Sequence, residues 1–328
     1  MKCAVIGAGL TGLKTASLLS GAGHDVTVFE KSRGLGGRLA NRRLPWGALD
    51  IGAQYFTVRD RGFQNEVASW EQAGVVCQWH FTPWQVTQGQ LLPSPDSTVR
   101  YIGTPLMNVP VYSLAKGLSV HCQCTIANVT RHSQGWQLDT LEGARFDGFD
   151  WLIVTSPAEQ SRALLAHCGD LVAHVPPAIH RSCWAVGLAT RGEVAADIQG
   201  IFGDDTVRWV SRLSSRPGFQ RGVDSDDVWM LHFAPQWSEQ QGKETTLDIG
   251  QVGLDWLQRV TGGMLERVAE HRHFWRYANI KSVSFDQPCL IDAEQQLAIA
   301  GAWCAGGRVE GAWLSAVKLV QMLDGLAR

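Results

Sequence analysis

The sequence predicts an α/β protein in which a Rossmann-like unit is interleaved with a domain built on a mixed or antiparallel sheet. Three observations predict it. A short apolar strand opens the chain and runs through a glycine-spaced turn into a helix. Strand-like segments with alternating polarity fill the middle. A buried strand, a glycine-rich junction and a long amphipathic helix come only at the end. The opening unit is therefore completed by the last residues of the chain and is no self-contained block.

At about 150 residues per domain, the 328 residues suit two domains. Charged residues are 18% and hydrophobic residues 45%, which excludes a disordered chain. A net charge of −2 gives no field that attracts nucleic acid or an anionic membrane. The eight cysteines are scattered and form no C-x-x-C pair, so reduced thiols and a cytoplasmic location are expected. No apolar run reaches the roughly 20 residues that span a bilayer. Oligomeric state is left open. The 14 tryptophans suit the walls of a broad cavity or ordinary core filling equally.

Cys3–Ile6 is read as the first buried strand, followed by Gly7-Ala-Gly9-Leu-Thr-Gly12 and a helix to Gly21. Asp25–Phe29 is the second strand and ends at Glu30. Gly7 makes the tight turn, Gly9 admits a pyrophosphate, and Gly12 lets helix and sheet approach closely. The helix start offers N–H groups to phosphates, and Glu30 is placed to accept from an adenosine ribose. Lys31, Arg33 and the Gly36-Gly37-Arg38 run bring a second stretch of backbone and guanidinium groups toward the ligand.

Asp60–Gly74 gives an amphipathic helix through Phe63, Val67 and Trp70, and Val75–Leu92 alternates as antiparallel strands around Gly89. A short helix ends near Lys116-Gly117. Ser119–Val129, Gly135–Thr140 and Ala144–Phe149 read as a meander, and Trp151–Thr155 as a buried strand before a helix through Leu165. Cys183–Thr190, Val207–Leu213 and Val228–Ala234 are strand-like, and a helix carries Val252, Trp256, Leu257 and Val260. Gln296–Ala300 is the last buried strand, and Val309 to Leu323 keeps one helical face apolar. The expected division is 1–60, 106–165 and 275–328 for the dinucleotide unit, with 61–105 and 166–274 inserted as the substrate domain.

The arginine–glycine–glycine–arginine run after the acidic strand end resembles the flavin amine oxidase superfamily, which binds FAD in an extended form. The resemblance implies a fold of the p-hydroxybenzoate hydroxylase/amine oxidase type. It also implies a C-terminal junction beneath the flavin pyrimidine. The implied FAD contacts are Gly7, Ala8, Gly9, Leu10, Thr11, Gly12, Glu30, Lys31, Arg33, Gly36, Gly37, Arg38, Gln54, Tyr55, Phe56 and Ile126. At the C-terminal junction they are Gly301, Ala302, Trp303, Gly307, Arg308, Val309, Glu310 and Ala312. Where that superfamily usually has Gly-Asp, with the carboxylate on a ribityl hydroxyl, this chain has Gly301-Ala302. No Cys-rich attachment motif marks the junction, so FAD is expected to be non-covalent, with Cys304 the thiol to check.

Five segments narrow the resemblance: Trp209-Val-Ser-Arg212, Ser214-Ser-Arg216-Pro217-Gly218, Trp229-Met-Leu-His232 with Trp237-Ser238, His273-Phe-Trp275-Arg276-Tyr277-Ala278, and Gly307-Arg-Val-Glu-Gly-Ala-Trp313. Together they look like the bacterial renalase-like flavoproteins. That likeness implies oxidation of 2- and 6-dihydro-NAD(P) isomers to NAD(P), with electrons passing through FAD to O2 to give hydrogen peroxide.

No G-x-S-x-G elbow and no H-E-x-x-H motif is present, and His271 and His273 read as surface or hydrogen-bonding residues rather than metal ligands. A dihydronicotinamide loses a hydride and regains aromaticity, so no catalytic residue is expected to be essential. Tyr55, Trp184, Trp209, Trp229, Trp275 and Trp303 are candidate pocket walls, with core packing the plain alternative. His232 and His273 are candidates for a carboxamide or ribose, and Arg212, Arg216 and Arg276 for substrate phosphates. Two other readings compete: FAD-dependent oxidation of an amine or other small molecule, and a non-enzymatic FAD-binding module.

Overall fold

The computed structural model describes residues 1–220, 222, 225–281, 285 and 287–326. A six-stranded sheet has the spatial order Cys289–Asp292, Leu297–Ala300, Trp151–Val154, Lys2–Ile6, Asp25–Phe29, Ser119–His121. All neighbours are parallel except the edge pair formed by the first two. Trp151–Val154 and Leu297–Ala300 are buried at every position, as befits central parallel strands covered on both faces. The helices Leu10–Gly21 and Val309–Leu326 pack on one face, and the antiparallel strands Ile126–His132, Gly135–Thr140 and Arg145–Phe149 lie over the other.

Ser119–His121 pairs with Asp25–Phe29 and not with the meander that the sequence pattern suggested. A break at residues 122–125 separates it from the meander, whose register starts at Ile126 opposite Thr140.

The second sheet has seven strands, in the order Glu266–Ile280, His180–Arg191, Asp227–Phe233, Val207–Arg212, Gly200–Phe202, Trp84–Thr87, Gln90–Pro93. It is mixed: Gly200–Phe202 pairs parallel with Trp84–Thr87, and the other pairs are antiparallel. The helix Ile249–Thr261 covers one face, burying Leu254, Trp256 and Leu257 against Val186, Leu188 and Leu231. The other face meets the hairpin Asn41–Leu44/Gly47–Asp50, where Trp46, Leu49 and Ile51 pack on Ala185, Ala189 and Met230.

The strand Glu266–Ile280 runs straight through residue 274, so sheet pairing continues into residues expected to belong to the dinucleotide unit. The helix Arg61–Gln72 buries Phe63, Val67 and Trp70 in the core shared with Trp313, on the side of the parallel sheet rather than the substrate sheet. Among the described residues, no helix is long and apolar enough to cross a membrane.

Candidate active site

Three backbone segments converge where open α/β sheets leave a crevice, beyond the carboxyl ends of the parallel strands. The chain turns at Gly7, whose φ of +106° favours glycine. A Cβ on Gly12 would lie 1.9 Å from the Gly7 carbonyl oxygen, so helix and strand approach as only glycine allows. A Cβ on Gly9 would meet nothing within 4 Å, because this glycine faces open cleft. Gly9 is also the N-cap of Leu10–Gly21 and supplies no capping side chain. The first-turn N–H groups of that helix are thus orphan donors for an anion.

The second glycine pair lies alongside. Gly36 donates its N–H to the Ala8 carbonyl at 2.9 Å, and Gly9 and Gly36 form a parallel bridge. The third segment turns at Gly306 and Gly307, with φ of +84° and +75°, into the start of Val309–Leu326. Two helix N-termini therefore meet the cleft, each carrying roughly +0.5 charge.

Glu30 accepts the Ala8 N–H on Oε2 and the Ser32 N–H on Oε1, each at 2.8 Å. A carboxylate offers about four lone-pair sites. Each oxygen therefore keeps capacity for a ribose hydroxyl. Open space at Gly9, two orphaned helix starts and a fixed acid at the second strand end fit an extended dinucleotide.

Of the residues expected at FAD, Gly7, Gly9, Leu10, Thr11, Glu30, Lys31, Arg33, Gly36, Gly37, Arg38, Tyr55, Phe56, Ile126, Ala302, Gly307, Arg308, Val309 and Ala312 line one cleft of about 2170 Å³. The others stand outside its lining. Ala8 acts through its bond to Glu30, and Gly12 through packing. Gly301 donates its N–H to Ser315 Oγ at 2.9 Å. Trp303 is buried with its Nε1–H on the Ser156 carbonyl at 3.2 Å. Glu310 turns away to accept the N–H groups of Arg59 and Asp60, both at 2.6 Å. Gln54 borders a side chamber instead. Burial pushes the Cys304 thiol far above its ordinary pKa, and all eight cysteines are free.

On the substrate side, Tyr55, His232, His273, Trp275 and Arg276 line the cleft. Trp275 Nε1–H and His232 Nε2 share the Ile51 carbonyl at 2.9 and 3.2 Å. The His273 ring stands edge-on to Trp275, 4.4 Å between centroids. Burial lowers both histidines to about 4, and for His273 the Arg42 and His271 charges add to it. Both rings are therefore neutral at pH 7 and act as hydrogen-bonding groups. Trp209 packs against Tyr55 at 5.2 Å and borders the side chamber.

Besides the buried Trp303, four expected substrate-side residues belong elsewhere. Strand alternation gives Cys183 to the cleft and turns Trp184 to the opposite face, onto Phe274, with its Nε1–H on the Gly242 carbonyl. Trp229 is core, bonded to Thr190 Oγ1 at 3.2 Å. Arg212 is held by Asp227 through Nε at 2.7 Å and Nη2 at 2.5 Å, over the Trp229 ring. Arg216 is buried with Asp50, Nη1 to Oδ2 at 2.6 Å. Neither of these arginines is available to a substrate phosphate.

The structure brings in residues that the sequence reading passed over. Arg42 and Arg43 of the hairpin, and Asn279 at the end of the long strand, line the cleft. So do Asp96 and Arg100, which pair at 2.8 Å, with the Arg100 guanidinium 5.1 Å from the Tyr55 ring and 5.6 Å from Phe202. The signal available for that pair was an acid and an arginine four apart in an irregular loop. Among the described residues, eight arginines and one lysine line the cleft against two carboxylates, Glu30 and Asp96. Among the described residues, no three His, Cys, Asp or Glu side chains gather as metal ligands.

Comparison with known proteins agrees with this architecture. Residues 5–67 match the family described as NAD(P)-binding Rossmann-like domain. A 52-residue stretch is 46% identical to 4,4'-diapophytoene desaturase of Staphylococcus aureus, covering 16% of this chain and 10% of the desaturase. The chain thus matches about a tenth of the length of that relative. A putrescine oxidase bound to putrescine superposes with a TM-score of 0.73 at 12% identity, over 100% of this chain and 99% of the other. An oxidoreductase from Methanosarcina mazei superposes with a TM-score of 0.71 at 15% identity, over 98% and 100%. The fold is the α/β architecture of the amine oxidase type, with a Rossmann unit interleaved with a mixed-sheet domain.

Proposed function

We propose that the chain, as an FAD-dependent oxidoreductase of the flavin amine-oxidase superfamily, holds FAD non-covalently and oxidises 2- and 6-dihydro-NAD(P) isomers in the cytoplasm. Each turnover converts one isomer, O2 and a proton into NAD(P)⁺ and hydrogen peroxide. When bound, FAD supplies the two-electron acceptor that O2 regenerates.

The charge of the cleft carries this reading. Glu30 stands at the glycine turn, where it is assigned to the cofactor ribose, and Asp96 is paired with Arg100, so no lining carboxylate among the described residues is left to receive a substrate ammonium. Arg42, Arg43 and Arg276 suit phosphates beyond those of the cofactor. The volume of about 2170 Å³ exceeds the roughly 300–1,000 Å³ of a site for one drug-sized ligand. Trp275, Tyr55 and His273 offer ring faces and edges to a flat dihydropyridine, while the neutral His232 adds hydrogen bonding without charge. These groups orient and exclude water. None has to remove a proton, because the departing hydride restores aromaticity.

The second reading, oxidation of a small amine, is favoured by the putrescine oxidase among the fold neighbours. Product balance in air tests the choice. One peroxide and one NAD(P)⁺ per dihydro isomer consumed, with free FAD released on denaturation, is the expected result. Peroxide formed from amines and not from either isomer would transfer the assignment to the amine reading.

A further inference from the structure

The loop 94–100 folds one arginine into the cleft wall. Its start is tied by the Ser94 N–H on the Pro83 carbonyl at 2.8 Å, and its end by the Trp79 N–H on the Arg100 carbonyl at 2.9 Å. Between them, the Asp96 carboxylate accepts the Thr98 N–H on Oδ1 and Arg100 Nη2 on Oδ2, each at 2.8 Å. Arg100 Nη1 donates to the Thr98 carbonyl at 2.8 Å. The guanidinium then lies 5.1, 5.4 and 5.6 Å from the ring centroids of Tyr55, Phe81 and Phe202. The Arg100 side chain is 3% exposed, whereas that of Asp96 is 31% exposed. Arg100 Nε is buried with no partner. An unmatched buried donor works against stability, so fastening the loop does not account for the whole arrangement.

Three ring faces and a carboxylate are the chemistry of a site for an organic cation. Here the chain's own cation fills it. Asp96, Arg100, Tyr55 and Phe202 line the cleft, and of the two lining carboxylates among the described residues Asp96 is the one beside these rings. We infer that Arg100 is a specificity residue: it occupies a cation site from within and so keeps substrate ammonium groups out of a cleft that takes anions. Its pairing with Asp96 removes the counter-charge that an ammonium needs, and its bulk covers the rings. An anionic dinucleotide makes no demand on either. This role rests on the dihydronicotinamide reading for the ligand that is admitted, and adds the residue that turns amines away. Truncating Arg100 should therefore do more than loosen a loop. It should open a cage of the opposite selectivity.

Calorimetric titration of the FAD-loaded protein with n-butylammonium and with 1-butanol, a neutral counterpart of equal length, separates recognition of charge from room alone. The wild type should bind neither measurably. Arg100→Ala should bind the ammonium roughly tenfold or more tightly than the alcohol, a modest preference for a charge-assisted hydrogen bond with desolvated ring contacts. Adding Asp96→Asn should bring that ratio toward one. A folded Arg100→Ala protein with a normal flavin spectrum and no preference for the ammonium would overturn the inference. Saturable binding of the ammonium by the wild type would overturn it too, whether or not a variant folds. Arg100→Gln, which keeps an amide donor for the Thr98 carbonyl, carries the same test if the alanine variant does not fold. The dihydronicotinamide reading survives these results wherever the isomers still bleach the wild-type flavin. It fails separately if amines reduce the wild type and neither isomer does.

Discussion

Replacing Glu30 by alanine separates the fastening that its carboxylate performs from the ribose contact proposed for it. Its oxygens accept the Ala8 and Ser32 N–H groups at 2.8 Å, and the first of these bonds is buried. Losing them leaves a buried donor unpaired, which costs about 1–3 kcal/mol whether or not FAD is present. The proposed contact with the adenosine ribose would exist only in the loaded protein. Hydrogen bonds to a charged group contribute about 1.5–3 kcal/mol, so FAD should bind roughly ten- to a hundred-fold more weakly. Thermal melts of the apoprotein measure the first loss, and titration of apoprotein with FAD measures the second. The rate of flavin reduction in protein that stays loaded should be unchanged, because the ribose is remote from the reacting ring. A lower melting temperature with unchanged FAD affinity would refute the ribose assignment and leave Glu30 as a fastener of the Gly7–Gly9 turn.

Ala302 lines the cleft at the place where the resembling superfamily carries an aspartate, so Ala302→Asp should tighten FAD binding by about 1 kcal/mol in a titration of apoprotein; marked weakening would mean that the ribityl hydroxyl already has a partner. His232 and His273 have folded values of about 4 against 6.5 unfolded, so the unfolded chain binds more protons between those values. Their contribution to stability is complete above pH 6.5 and is lost as pH falls toward 4; thermal melts should drop through that window, and more shallowly in His232→Gln. Arg216→Met removes one partner of the buried pair with Asp50 and should destabilise by about 3–5 kcal/mol in denaturant melts. A soluble, stable Arg216→Met protein with only a raised KM would restore Arg216 to the substrate.

The half of the cleft built on the glycine turns was legible because its signals are local. Glycine at positions 7, 9 and 12 states backbone geometry directly, and Glu30 follows at the next strand end. The substrate half depends on facts that no local pattern contains. Whether Cys183 or Trp184 faces the cleft is a matter of strand parity, set by the register of His180–Arg191 against Asp227–Phe233. Arg212 and Arg216 looked free because their partners, Asp227 and Asp50, come from other parts of the chain. The strand Glu266–Ile280 escaped notice because it is half-buried or exposed along its length and carries a register shift, so it never alternates cleanly. Arg100 lies in a loop without periodicity, and only the assembled rings of Tyr55, Phe81 and Phe202 around it reveal its position.

The arginine-lined cleft is proposed to align one carbon of a dihydro-NAD(P) isomer. Hydride transfer needs one carbon held against the acceptor, and a displacement of 1 Å costs about a hundred-fold. The FAD-loaded protein should therefore be mixed without oxygen with a 6-dihydro-NAD isomer, with ordinary 4-dihydro-NADH and with a primary amine, and the oxidised-flavin absorbance followed. The isomer should bleach the flavin within seconds and the other two much more slowly, with the yellow spectrum restored when oxygen is readmitted. Faster bleaching by the amine than by either dihydro isomer would contradict it.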